Sequence, residues 1–162
     1  MKKTVFTALG LGALGVLALA AAPASAKPYP AGGVTAKEVA AVLQAKGYKA
    51  EVTRDDSDDP LVKSAADGVD WSVYFYNCTN DRCESIQFSA GFDLEHGITY
   101  SKANEWNYTK RFGRAALDDE MDPYIRYDID AEKGASSEQI ELAVDTWLLV
   151  LPQFVEFVGF KP

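Results

Sequence analysis

Val69-Asp70-Trp71-Ser72-Val73-Tyr74-Phe75-Tyr76, then Asn77-Cys78-Thr79-Asn80-Asp81-Arg82-Cys83-Glu84, then Ser85-Ile86-Gln87-Phe88-Ser89-Ala90-Gly91-Phe92: this stretch decides how the chain folds. Successive side chains of a strand point to opposite faces. Val69, Trp71, Val73 and Phe75 therefore line one apolar face, while Tyr74 and Tyr76 stand on the other. The second run repeats the alternation with Ile86, Phe88, Ala90 and Phe92. Two such runs about a polar turn, Thr79 to Arg82, predict an antiparallel hairpin. Cys78 and Cys83 are the only cysteines and flank that turn. In an oxidising compartment they should form a disulfide that clamps the hairpin tip and helps to pin its register. Closing so small a ring stabilises by about 2 kcal/mol in the chain-entropy model. A structural zinc site needs more ligands than this pair and the single histidine, His96, supply. The spacer with its acidic Asp81 also lacks the electropositive setting of a reactive thiol.

Working outward, Thr35 and Glu38 have capping-box spacing, Val39, Val42 and Leu43 share a helical face, and Gly47 stands where a left-handed terminator belongs. Ala50 and Val52 alternate with Lys49, Glu51 and Thr53, which predicts a short half-buried strand entering an acidic loop, Asp55 to Asp59. Downstream of the hairpin, Ser101 is placed to cap a second helix running to about Arg111. Ala103, Trp106 and Lys110 share one side of it, and Asn104, Asn107 or Tyr108, and Arg111 another. Arg114 to Leu117, an acidic turn from Asp118 to Pro123, and the alternating Tyr124 to Asp130 predict a second antiparallel pair. From Ser136 or Ser137 a last helix carries a wide apolar stripe of Ile140, Ala143, Val144, Trp147, Leu148 and Leu151, with Pro152 expected to kink or divide it. The order α-β-β-β-α-β-β-α predicts an α+β fold, an antiparallel sheet of about five strands with three helices packed on it. No internal repeat or second domain is evident.

The N-terminus sets the compartment. Lys2 and Lys3, the apolar run Val5 to Ala22 and the small triplet Ala24-Ser25-Ala26 compose a Sec-type export signal with cleavage after Ala26. Residues 1–26 are thus read as a signal peptide, 27–34 as a flexible leader rich in proline and glycine, and 35–160 as one domain, periplasmic or secreted. Glu141, Asp145, Pro152 and Glu156 interrupt the apolar C-terminal run, so no stable membrane insertion is expected after cleavage. The whole chain of 162 residues carries a net charge of −8, and loses two lysines with the signal. Such a surface repels phosphate backbones, which disfavours nucleic acid as a partner.

Sequence offers little for catalysis. Asp55, Asp56, Asp58 and Asp59, and Asp118, Asp119, Glu120 and Asp122, suggest cation loops, yet Leu61 and Pro123 stand where a calcium loop requires glycine. His96 lies in an accessible loop without a nucleophile or second base in a recognisable motif. No cofactor, metal site or catalytic residue is expected. Trp71, Tyr74, Tyr76, Trp106, Tyr108, Tyr124 and Tyr127 could line a peptide or ligand groove, because amphipathic rings dominate recognition. Of these, Tyr74 and Tyr76 occupy the sheet face opposite the core. Phe154, Phe157 and Phe160 after Pro152 offer an alternative subunit interface.

Several strings are familiar together. Val73-Tyr74-Phe75-Tyr76-Asn77-Cys78 with Cys83, Phe88-Ser89-Ala90-Gly91-Phe92, Asn104-Glu105-Trp106-Asn107, and Arg111-Phe112-Gly113-Arg114-Ala115 before an acidic turn resemble the YbjN family, labelled a bacterial sensory transduction regulator. The likeness covers Thr35 to Phe160. It implies a fold similar to type III secretion chaperones, an α+β sandwich that often dimerises and holds other polypeptides, and it brings no catalytic residue. The export signal departs from a cytoplasmic regulatory role. Together these readings predict a non-enzymatic exported domain that binds a protein or peptide, with a homodimer as one form. Its candidate binding residues are Tyr74, Tyr76, Asn104, Trp106, Asn107 and Arg111. The alternatives are a small thiol oxidoreductase or hydrolase, and an envelope stress protein without a specific ligand.

Overall fold

The computed structural model describes residues 26–161. The expected export signal lies outside them except for Ala26. Elements run β1 (Val34–Thr35), α1 (Ala36–Ala45), β2 (Glu51–Arg54), β3 (Pro60–Ala66), β4 (Val69–Thr79), β5 (Arg82–Gly91), α2 (Tyr100–Thr109), β6 (Arg114–Leu117), β7 (Pro123–Asp130) and α3 (Ser137–Val158). The strands form one antiparallel sheet ordered β2-β3-β4-β5-β7-β6, with β1 added to β5 at its Cys83 end. The α+β class and three helices are as expected, but the strands number seven rather than five.

The two additional strands arise differently, β3 from a local turn and β1 from distant partners. β3 joins β4 through Asp67-Gly68, with Ala66 opposite Val69. Both turn residues have positive φ, 51° and 80°, which is what a two-residue type I′ hairpin requires. β1 comes from the supposed flexible leader, which is instead strapped to the fold. Tyr29 N–H donates to the Ala135 carbonyl at 2.8 Å, Gly32 N–H to Glu132 at 3.0 Å, and Ser137 N–H to Lys27 at 2.9 Å. Val34 then pairs with Cys83. Gly33, at φ +107°, permits this approach, since a Cβ there would overlap the Cys83 carbonyl.

The hairpin β4–β5 forms as expected about Asn80-Asp81, and Cys78 is bonded to Cys83 directly across it. Its tip is an anchor. Arg82 donates to the Gly33 carbonyl (2.6 Å) and to both Glu38 oxygens (3.1 and 3.0 Å), tying strap, hairpin and α1 together. Glu38 also closes the capping box with Thr35 that starts α1. Burial pushes the Glu38 carboxyl up, but the Arg82 bond, the Thr35 bonds and the nearby guanidinium outweigh it and hold the group below its usual value. Because its folded pKa lies below the unfolded one, this contribution is complete above the unfolded value of about 4.3 and is lost as pH falls through the folded value. Thermal unfolding should therefore show stability dropping on acidification through this range. Glu38→Gln should flatten that part of the profile and cost about 1 to 2 kcal/mol at neutral pH.

Three further details differ from the sequence reading. β2 is an exposed edge, with Val52 45% accessible rather than half-buried. α2 is capped by Thr99, whose hydroxyl accepts from Lys102 N–H, and ends at Thr109, which leaves Arg111 outside it. α3 continues through Pro152 undivided to Gly159, whose φ of 80° closes it. The two acidic turns are also a repeated motif, Asp-Asp-x-x-Asp-Pro at residues 55–60 and 118–123. In both, the first Asp accepts from backbone amides two and four residues on, and the fourth residue has φ 66°.

The core lies on one sheet face. Trp147 of α3 packs against Trp71 and Phe88, with ring centroids 5.8 and 5.7 Å away. Phe154 meets Phe92 and also Trp106 of α2. α1 lies beside α3, where Lys46 pairs with Asp145 at 2.7 Å. Among the described residues all three helices therefore gather on the side of Trp71, Phe75 and Phe88, and the opposite side carries none.

Candidate functional site

Register sets the order of side chains on that uncovered face. Leu61, Tyr74, Gln87 and Asp128 follow one another across β3, β4, β5 and β7. The next row is Glu51, Lys63, Ser72, Ser89, Arg126 and Arg114. Tyr76, Ser85 and Asp130 flank the first row, and Gly91 and Tyr124 flank the second. Directly opposed side chains lie about 5 Å apart and interact, so this is an ordered ladder of phenols, amides and charges of both signs.

Its members hold each other. Tyr76 Oη donates to Gln87 Oε1 at 3.4 Å, and Gln87 Nε2 donates to Asp128 Oδ1 at 2.5 Å. Gln87 and Ser89 are buried although they face away from the core, because their taller neighbours cover them. The Tyr124 ring lies across β5 over Gly91, where a Cβ would come within 2.5 Å of Cε1. The Arg126 guanidinium stacks 5.4 Å from that ring. A groove of about 380 Å³ runs along this surface, lined among others by Lys63, Asp70, Ser72, Tyr74 and Tyr124. Burial raises the Tyr76 phenol above its ordinary value, with Arg126 opposing and Asp128 adding to the rise. Tyr76 is therefore a neutral donor at physiological pH.

The remaining residues singled out in the sequence lie elsewhere. Trp106 is 1% exposed in the core and donates Nε1–H to the Gly113 carbonyl at 2.9 Å. The Asn107 side chain accepts from Ala115 N–H (2.8 Å) and donates to the Ala115 carbonyl (3.2 Å), covering the outer edge of β6. Asn104 is exposed, and Arg111 is exposed with its guanidinium 5.3 Å from the Phe112 ring. This group sits with α2 on the helical side and does not join Tyr74 and Tyr76. Cys83 is fully buried, so the disulfide is accessible only from the Cys78 side. His96 is exposed in the turn before α2, and one carboxylate of each acidic turn is bonded to its own loop backbone.

Sequence reasoning missed Gln87, Arg126 and Asp128. Extending the β7 alternation would have found the latter two, since Arg126 and Asp128 must oppose Ile125 and Tyr127. Gln87 stands between Ile86 and Phe88 in the same way. Gly91 had no such signal, because its close approach to Tyr124 depends on strand pairing.

Among the described residues no helix is long and apolar enough to cross a membrane. A family model described as "YbjN: Putative bacterial sensory transduction regulator" matches residues 35–160. No curated protein and no solved structure matches the chain.

Proposed function

Because the chain belongs to the YbjN family, we propose that it is an exported, non-enzymatic regulatory domain that holds a protein or peptide partner across the uncovered sheet face. The observation that carries this reading is the preordered ladder around Tyr74, Tyr76, Gln87, Asp128 and Arg126, on a face against which no helix of the described residues packs. Rigid phenols give contact area at small entropic cost. Neighbouring charges of both signs favour a polypeptide with mixed polarity over a polyanion. The strap is seated from Lys27 onward, where Lys27 N donates to Ser137 Oγ at 2.9 Å.

Affinity capture from an envelope extract tests the proposal, using the chain recovered after export, whose first residue should be Lys27. Tyr74→Ala with Tyr76→Ala should weaken capture of the partner about thirtyfold or more, as two central anchors would. Equal recovery by both baits would refute binding at this face.

A further inference from the structure

The two edges of the sheet are finished differently. At β6, Asn107 occupies the outward N–H and C=O of Ala115, the groups a further strand would use. At β2 nothing among the described residues does this for Val52. Asp55 N–H bonds the Asp59 carbonyl, while the next pair, Arg54 with Pro60, includes a residue with no N–H. Bonded and non-bonded pairs alternate along an antiparallel ladder. Thr53 and Glu51 therefore bond inward to β3, and Val52 and Arg54 turn their backbone groups outward. The Val52 side chain is exposed as well.

We propose that β2 pairs antiparallel with β2 of a second copy, about a two-fold axis at Val52, joining two sheets edge to edge. Symmetry makes this testable against the sequence. With the axis perpendicular to the sheet, opposed residues must share a face and so differ by an even number. The outward backbone groups lie on even residues, of which Ala50 already lends its carbonyl to Gln44 Nε2 at 3.4 Å while those of Val52 are free, so Val52 opposite Val52 of the second copy satisfies both conditions. That register sets Lys49 opposite Asp55 of the second copy, twice, and Glu51 opposite Thr53. Opposite charges meet and no like charges are directly opposed. Centring on Thr53 would oppose Glu51 to Asp55 and would need backbone groups already bonded to β3. Arg54 stays tied to Asp81 at 2.8 Å in either state. A foreign peptide could add to the same edge, but the symmetric placing of Lys49 and Asp55 about Val52 suits a second copy. This inference is independent of the proposed function.

Light scattering and sedimentation of the mature chain over a concentration series test it. Val52→Pro removes the outward N–H at the axis without touching the β2–β3 bonds, and Lys49→Glu places a carboxylate opposite Asp55. The wild type should dimerise, and each variant should weaken dimerisation about tenfold or more with unchanged circular dichroism. If Val52→Pro fails to fold, Lys49→Glu decides alone. A wild type that stays monomeric at every concentration, a dimer insensitive to the variants, or an edge protected only by added peptide would overturn the proposal.

Discussion

Trp147→Ala should remove about 3 to 5 kcal/mol, the usual cost of emptying a buried tryptophan site. Trp147 is fully buried, and its ring bridges Trp71 of β4 and Phe88 of β5. Without it α3 loses its central contact with the sheet, and smaller neighbours on the stripe, Ala143 and Val144, cannot fill the space. Against a total stability of about 5 to 15 kcal/mol for a domain, the variant should sit close to its unfolding transition at ambient temperature. Urea unfolding followed by tryptophan fluorescence and circular dichroism checks this. A midpoint within experimental error of the wild type would mean that α3 docks elsewhere. Leu149→Ala is the control: its side chain is 68% exposed and should change stability by less than about 0.5 kcal/mol.

Gly33→Ala is expected to cost about 2 to 4 kcal/mol, because it combines a strained positive φ with a backbone collision. The new Cβ would overlap the carbonyl of Cys83. Relief requires lifting the strap, so the effect should be local first. Amide exchange at Tyr29 and Gly32, both bonded to the 132–135 segment, should accelerate before exchange in β5. The Arg82 bond to the Gly33 carbonyl should fail with it, which loosens the support of Glu38 at the start of α1. Unchanged exchange at Tyr29 and Gly32 would contradict the docked strap.

The contrast between what was and was not legible in the sequence follows from interaction range. Thr35 with Glu38, the alternation of β4 and β5, and the stripe of α3 are signals within a few residues, and each element formed where it was expected, α3 running undivided through Pro152. Asp67-Gly68 was an equally local signal for the β3–β4 hairpin, and the turn preceding Pro60 repeats the one preceding Pro123. Weighing these would have recovered β3. The strap was different in kind. Its glycines and prolines carry no periodicity, and its order comes from partners about a hundred residues away. Residues of the candidate site divided likewise. Tyr74 and Tyr76 could be placed by alternation alone. Their union with Gln87, Asp128 and Arg126 needed the β5–β7 register, and the duty of Asn107 at the edge of β6 appears only once α2 and β6 are neighbours.

Photo-crosslinking of the chain in its native cell tests the proposed binding face most directly. A benzophenone side chain replacing Tyr74 should trap a polypeptide partner efficiently, whereas one replacing Leu142, exposed on the helical side, should trap little. Equal trapping at both positions, or a partner trapped only from Leu142, would contradict the account.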